Sequence, residues 1–140
     1  MIKVYHKTAA IKAEQFDGSI DMIEKYNITP PMPLEPDYTI NTLEGDMVLG
    51  VCDWIATGIN GKHWPISDDV FRKTYAELPV IPKEIAYVIK QAKNGDYKLG
   101  WVFYATYSGL WRVSVGNWIR THADMFARAW LDGYQVEEDK

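Results

Sequence analysis

Apolar and polar positions follow two regimes along the chain. Up to about residue 78 the apolar residues come in short runs broken by Gly, Pro, Asn and Asp, which reads as strands and turns. Beyond that point they recur at helical spacing. The densest part of the first regime is residues 38–78. There the pattern predicts strand 38–42, a turn at Glu44-Gly45-Asp46, strands 47–51 and 54–59, a hairpin turn at Asn60-Gly61 and strand 62–66. A two-residue type I′ turn at Asn60-Gly61 sets Ile59 opposite Lys62, Gly58 opposite His63, Thr57 opposite Trp64 and Ala56 opposite Pro65. On that register Ile55, Ile59, Trp64 and Ile66 form the core face, and Trp54 and His63 lie together on the other. Pro65 falls at a non-hydrogen-bonded pair, which suits an edge strand because proline has no N–H to give. Leu49, Val51 and Trp54 make the second face partly apolar as well. Either a bulge near Asp53 or a second layer must then account for it, and the second layer is expected, from helix 20–26 or the C-terminal half.

The flanking segments are simpler. Residues 2–16 read as one strand or a broken pair. Ser19 caps a short helix over 20–26 with Ile20, Ile23 and Tyr26 inward. Four prolines make residues 28–37 a stiff connector. Ser67, with Asp68 and Asp69 in the first turn and Arg72 and Lys73 near the end, starts another short helix on which Phe71 and Tyr75 stack.

The proline-rich stretch 78–82 marks a boundary, and Pro82 begins a helix carrying Ile85, Val88, Ile89 and Ala92 on one face, stopped by Asn94-Gly95. By propensity, residues 97–118 read as a β-hairpin around Ser108-Gly109. Thr121 and Asp124 resemble a capping box for a last helix, with an Asp124–Arg128–Asp132 charge ladder, a buried stripe of Phe126, Ala129 and Trp130, and Gly133 as its stop. The final residues, 134–140, read as a short strand or tail. The expected architecture is α+β: a β-rich domain over 1–78, built on a small antiparallel barrel-like sheet of about four strands, followed by a compact helical segment over 79–140 packed on it.

Composition narrows function more than fold. The net charge of −4 is uneven: seven Lys or Arg face twelve acids up to residue 78, and eight face seven after it. Neither half is basic, so direct nucleic-acid binding is disfavoured. Cys52 is the single cysteine, and His6, His63 and His122 share no ligand spacing with it or each other. No metal site and no cofactor is therefore expected. The chain shows neither a signal-peptide pattern nor a run of 18 apolar residues, so no membrane association and a cytoplasmic location are expected. Six Trp and nine Tyr are a high aromatic content; most read as core, and two or three suit a binding surface.

Two stretches resemble known families. The first is TLEGDMVLGVCDWIATGINGKHWPISDDVFRKTYAEL with its lead-in KTAAIKAEQFDGS. It resembles small phage and prophage proteins that share an "EGD … GDWI … G-x-x-G … YP … F-x-x-TY" pattern. Here Cys52 stands where that pattern has Gly, and His63-Trp64-Pro65 where it has an aromatic residue, Tyr and Pro. The second stretch, IPKEIAYVIKQAKNGDYKLG with NWIRTHADMFARAWLDGYQVE, resembles a family of unknown function from phages of lactic acid bacteria and their relatives. That resemblance implies helix over 98–106 and 114–120, with Ser114 as a cap, and it takes precedence over the propensity reading. Neither resemblance implies a catalytic residue.

The expected function is accordingly non-enzymatic. It is a phage or prophage accessory protein that binds a host protein, most concretely an inhibitor of a host defence nuclease such as a CRISPR effector. The expected partner-binding residues are Trp54, His63, Asp53 and Arg128, and a dimer is compatible with the sequence. Two alternatives stay open. A nucleotide binder would need a pocket combining an aromatic ring with a basic residue. A small hydrolase would need Cys52, or the Glu44, Asp46 and Asp53 group, in a cleft beside a base.

Overall fold

In the computed structural model, which describes residues 1–7 and 9–138, Asn60 and Gly61 do close a hairpin, but over three residues instead of two. Gly58 N–H donates to the Lys62 carbonyl at 3.0 Å, and Gly61 N–H donates to the Gly58 carbonyl at 3.0 Å. Gly61 alone in the loop takes positive φ, at +77°. This is a turn followed by a left-handed bulge residue, the preferred three-residue hairpin closure. Asn60 contributes through its side chain, whose Oδ1 accepts from Lys62 N–H at 3.1 Å.

The added residue moves the register by one. Strand β4, Trp54–Thr57, pairs with β5, His63–Ile66, as Trp54↔Ile66, Ile55↔Pro65, Ala56↔Trp64 and Thr57↔His63. The expected pairing is thus corrected, and with it the two faces. Trp54 lies on the side of Ala56, Trp64 and Ile66, while His63 lies with Ile55, Thr57 and Pro65. Ile59, expected in the core, sits in the loop and is 95% exposed. Pro65 could not have revealed the error. The extra residue falls on the β4 side, so Pro65 occupies a non-hydrogen-bonded pair in either register.

Strand β1, Lys12–Gln15, completes this sheet in the order β1-β4-β5. A separate two-stranded sheet joins β2, Tyr38–Thr42, to β3, Gly45–Leu49. The fold is α+β as expected, but these five strands form two small sheets and close no barrel.

Between β3 and β4 the bulge that the alternation allowed for is present. Asp53 N–H donates to the Gly50 carbonyl at 3.1 Å, closing a turn in which Cys52 has φ +80°. Cys52 N–H then donates to the Phe16 carbonyl while Phe16 N–H donates to that of Asp53, both at 2.8 Å. Two residues of one strand thus face one of the other, with the first left-handed, a position that favours glycine. The second layer exists too, although from an element that the sequence did not nominate. Helix α2, Asp68–Thr74, covers the Trp54 face, and the Trp54 and Phe71 rings stack at 4.1 Å.

The Ile55 face carries the core of the first unit. Phe16, Met22, Ile28, Ile40, Leu49 and Ile55 are buried together. Met22 comes from helix α1, Ile20–Lys25, whose N-cap Ser19 accepts from Met22 N–H as expected. Ile20, expected inward, is 72% exposed. Asn27 ends this helix in the left-handed region, with Ile28 N–H returning to the Ile23 carbonyl at 2.8 Å. The connector 28–37 holds only isolated bridges, one of them Thr29↔Thr39. Residues before Lys12, expected as strand, show none among those described, and Thr8 lies outside them.

The chain divides into two units, Met1–Ala76 and Glu77–Lys140. The second contains α3, Lys83–Asn94; α4, Leu99–Tyr107; α5, Val113–Thr121; and α6, Ala123–Asp132. Its β6, Val80–Ile81, and β7, Gln135–Val136, pair in parallel and tie its two ends together. Asp139 and Lys140, in the segment read as strand or tail, lie outside the described residues. The helices over 97–118 are those implied by the family resemblance and not the hairpin favoured by propensity. Val102, Ala105 and Thr106 are buried on α4 and Val115 and Ile119 on α5, so packing overrides β-propensity. Ile81, Ile85, Ile89, Val102, Ile119 and Phe126 are the largest fully buried apolar residues of this core.

Candidate binding surface

Trp54 and His63, expected side by side, lie on opposite faces of the sheet. Trp54 is half-buried, stacked on Phe71, and its indole N–H donates to Asp68 Oδ1 at 2.9 Å. The Arg72 guanidinium also donates to Asp68 at 2.9 Å. These donors, Trp54 first, hold the Asp68 carboxyl below its ordinary pKa. Trp54 therefore joins α2 to the sheet. Asp53 accepts from Gly50 N–H at 2.8 Å and stabilises the turn that carries Cys52. His63 is half-buried on the opposite side of the sheet from Trp54. Its Nδ1 lies 2.8 Å from Thr57 Oγ1, and its ring stands edge-on to Tyr26.

Arg128, in the second unit, is exposed on α6. Among the described residues it makes no ion pair, so the ladder with Asp124 and Asp132 does not form. The capping box is absent as well. Thr121 closes α5, its Oγ1 donating to the Asn117 carbonyl at 2.9 Å, and His122 caps α6. Ser114 lies inside α5 instead of capping it.

A different surface concentrates the aromatic excess. Residues 99–111 run for thirteen positions without a charge, and α4 occupies most of them. Its inward side is buried through Val102, Ala105 and Thr106. Its outward side is not polar, as a helix facing water requires. Instead Trp101, Tyr104 and Tyr107 follow at three-residue steps, and the two tyrosines are 64% and 65% exposed.

Local structure explains how further rings join them. Asp96 takes the left-handed position after α3, with φ +59°, and Tyr97 N–H returns to the Ala92 carbonyl at 2.9 Å. This helix ending turns Tyr97 back toward α3. Its ring then stacks on Trp101 at 4.3 Å, and Trp101 meets Trp111 edge-on at 5.9 Å. Trp111 is anchored by its indole N–H to Thr106 Oγ1 at 3.0 Å, and that hydroxyl donates to the Val102 carbonyl. Between these rings and Tyr87 and Gln91 of α3 lies a shallow, almost wholly apolar cleft of about 210 Å³.

The sequence did contain the signal for this surface. A charge-free run with Tyr and Trp at helical spacing is unusual on one helix. While the segment reads as a hairpin, however, those rings alternate between two faces and form no stripe.

A second cleft, of about 360 Å³, opens between the β2–β3 and β4–β5 hairpin tips of the first unit. Glu44, Lys62 and His63 line the larger cleft, and among the described residues no hydrogen bond joins their side chains to one another. Cys52 is exposed at its turn, and among the described residues no three His, Cys, Asp or Glu stand close enough to hold a metal ion. No helix among the described residues is long and apolar enough to cross a membrane.

Residues 76–140, which coincide closely with the second unit, match the model of a family described as a protein of unknown function (DUF1642). No curated protein and no solved structure matches the chain.

Proposed function

We propose that this is a phage or prophage accessory protein that acts by binding a host protein, and that the outward face of α4 is its contact surface. The carrying observation is the stripe Trp101, Tyr104 and Tyr107, with Tyr97 and Tyr87 beside it, on a helix that has no charged residue. Exposed Tyr and Trp with adjacent charges absent is the composition of interface centres, where amphipathic rings bury area at little entropic cost. The phage origin is supported by the match over 76–140, to a family typical of phage proteins. The most concrete partner is a host anti-phage nuclease such as a CRISPR effector.

The test compares the wild-type chain with a Trp101→Ser, Tyr104→Ser variant. Both are immobilised in lysate of a lactic acid bacterium, and any captured nuclease is then assayed for cleavage with purified protein added. The expected result is a nuclease captured and inhibited by the wild type and by the variant at least about tenfold less, given ~2 kcal/mol or more for a central aromatic contact. Equal capture by both chains, or a captured nuclease that cleaves undiminished, overturns the reading.

A further inference from the structure

The first unit holds a feature unrelated to α4. The cleft between its two hairpin tips has a volume of about 360 Å³, within the range of ~300–1,000 Å³ of ligand pockets. The second-unit cleft, at about 210 Å³, is below it. Leu43, Glu44 and Met47 line the larger cleft from one hairpin, and Lys62, His63 and Trp64 line it from the other.

Three properties of this lining point to one kind of ligand. Trp64 offers an aromatic surface, and its ring packs directly over Gly58. A Cβ at Gly58 would stand 3.2 Å from the Trp64 six-membered ring, so glycine there allows the indole to lie close against the hairpin backbone. A ring held in this way suits stacking, since little side-chain entropy remains to be lost on binding. Secondly, Lys62 and Glu44 are exposed at the rim, and among the described residues neither makes an ion pair or a side-chain hydrogen bond. One cation and one carboxylate are thus available. Thirdly, Leu43 and Met47 remain 70% and 40% exposed and give the cleft apolar walls.

A flat ring, one cation, one carboxylate and apolar walls are what a nucleobase carrying a single phosphate requires. The base stacks on the indole, its amino edge donates to the carboxylate, and the phosphate meets the ammonium. The surrounding charge decides between monomer and polymer. Up to residue 76 the unit carries seven Lys or Arg against eleven acids, so a polyphosphate backbone is repelled, whereas one phosphate needs only Lys62. We propose that this cleft binds a mononucleotide, with its base on Trp64, its phosphate on Lys62 and its amino edge on Glu44. The proposal concerns a different unit from the partner-binding face, and either can fail without the other.

The test is a titration of the full-length chain with AMP, GMP, CMP and UMP, followed by backbone amide shifts. The corresponding nucleosides, inorganic phosphate and a short single-stranded DNA serve as comparisons. The expected result is saturable shifts at residues 42–47 and 60–65 for at least one mononucleotide. Lys62→Ala should weaken that mononucleotide about tenfold, the size of one charge-assisted contact, and leave the nucleoside unchanged. Glu44→Gln should change the ranking of the four bases. Both side chains are exposed, so the variants keep the fold, and an unchanged amide spectrum without ligand verifies this. Absence of saturable shifts overturns the proposal. So does phosphate alone reproducing the shifts, DNA binding more tightly than any mononucleotide, or Lys62→Ala weakening nucleoside and nucleotide alike.

Discussion

In the first unit, Trp54, Phe71 and Tyr75 stack one after another along α2, and every polar end has a partner. The Trp54 indole reaches Asp68, and the Tyr75 hydroxyl accepts from Lys7 at 2.7 Å. In the second unit, Tyr97, Trp101 and Trp111 form a comparable group, but Tyr87, Tyr104 and Tyr107 extend it outward into solvent. The aromatic content of the two groups is similar and their situations are opposite. The difference lies in what flanks them. Asp68, Asp69, Arg72 and Lys73 give α2 a polar outer side, so its rings turn inward onto the sheet. With no charge along α4, nothing distinguishes its outer side from its inner one, and the surplus rings remain on the surface. Aromatic clusters of the first kind hold a fold together, and those of the second kind are available to a partner.

Substitution in the two cores marks the upper limit of this contrast. Phe126→Ala in the second unit should cost about 3–5 kcal/mol and Ile55→Ala in the first about 2–5 kcal/mol, because both residues are fully buried. Urea unfolding followed by far-UV circular dichroism measures both. A cost below about 1 kcal/mol at either site would mean that its core is not packed as described.

The aromatic groups themselves should separate next. Trp54→Ala removes a stacked ring and leaves Asp68 without its first donor, and should cost about 3 kcal/mol. Tyr104→Ser and Tyr107→Ser remove rings that are mostly in solvent and should stay within about 0.5 kcal/mol. Similar costs for the two groups would erase the distinction drawn between them.

Acid sharpens the first side of the comparison. The Trp54 and Arg72 donors lower the folded pKa of Asp68, so folding is favoured by its ionised form. That contribution is present above the unfolded value of about 3.9 and is lost as pH falls through the lower folded value. Asp68→Asn should therefore flatten the fall in urea midpoint below about pH 4 relative to wild type. Parallel curves for the two chains would show that the indole and guanidinium bonds do not form in solution.

The smallest effect concerns a single backbone angle. Cys52 occupies a left-handed position at φ +80°, where a Cβ is strained by about 1–2 kcal/mol. Cys52→Gly relieves that strain while adding freedom to the unfolded chain, so a net gain of about 0.5–1 kcal/mol is expected. A lower melting temperature would instead show that the thiol contributes contacts that outweigh the strain.

The Cys52 position also shows how sequence and structure divide the account. The pattern expected from the sequence has Gly at this position, and the φ of +80° is one that glycine adopts without strain. The first unit was legible in outline: Ser19 as a cap, the proline connector, the short helix after Ser67 and the strands themselves were all visible in the pattern. Its register was not. Asn-Gly suits a two-residue loop as the last pair and a three-residue loop as the last two residues, and those closures differ by one residue. That single step put Ile59 in solvent and separated Trp54 from His63. In the second unit, α3 was plain from its periodicity, while α4 and α5 needed the family resemblance.

Local chemistry thus determined where elements begin, where they stop and which composition each carries, because caps, prolines and periodicity act over a few residues. It also determined that this chain is rich in aromatic rings. Only the tertiary structure decided which way those rings face. A strand's faces exchange with a shift of one residue, and α4 is apolar all round, so the buried side of each is chosen by the neighbours it packs against. In β4 the bulges at Gly61 and Cys52 set that choice, and in α4 it was set by Val102, Ala105 and Thr106 meeting the core.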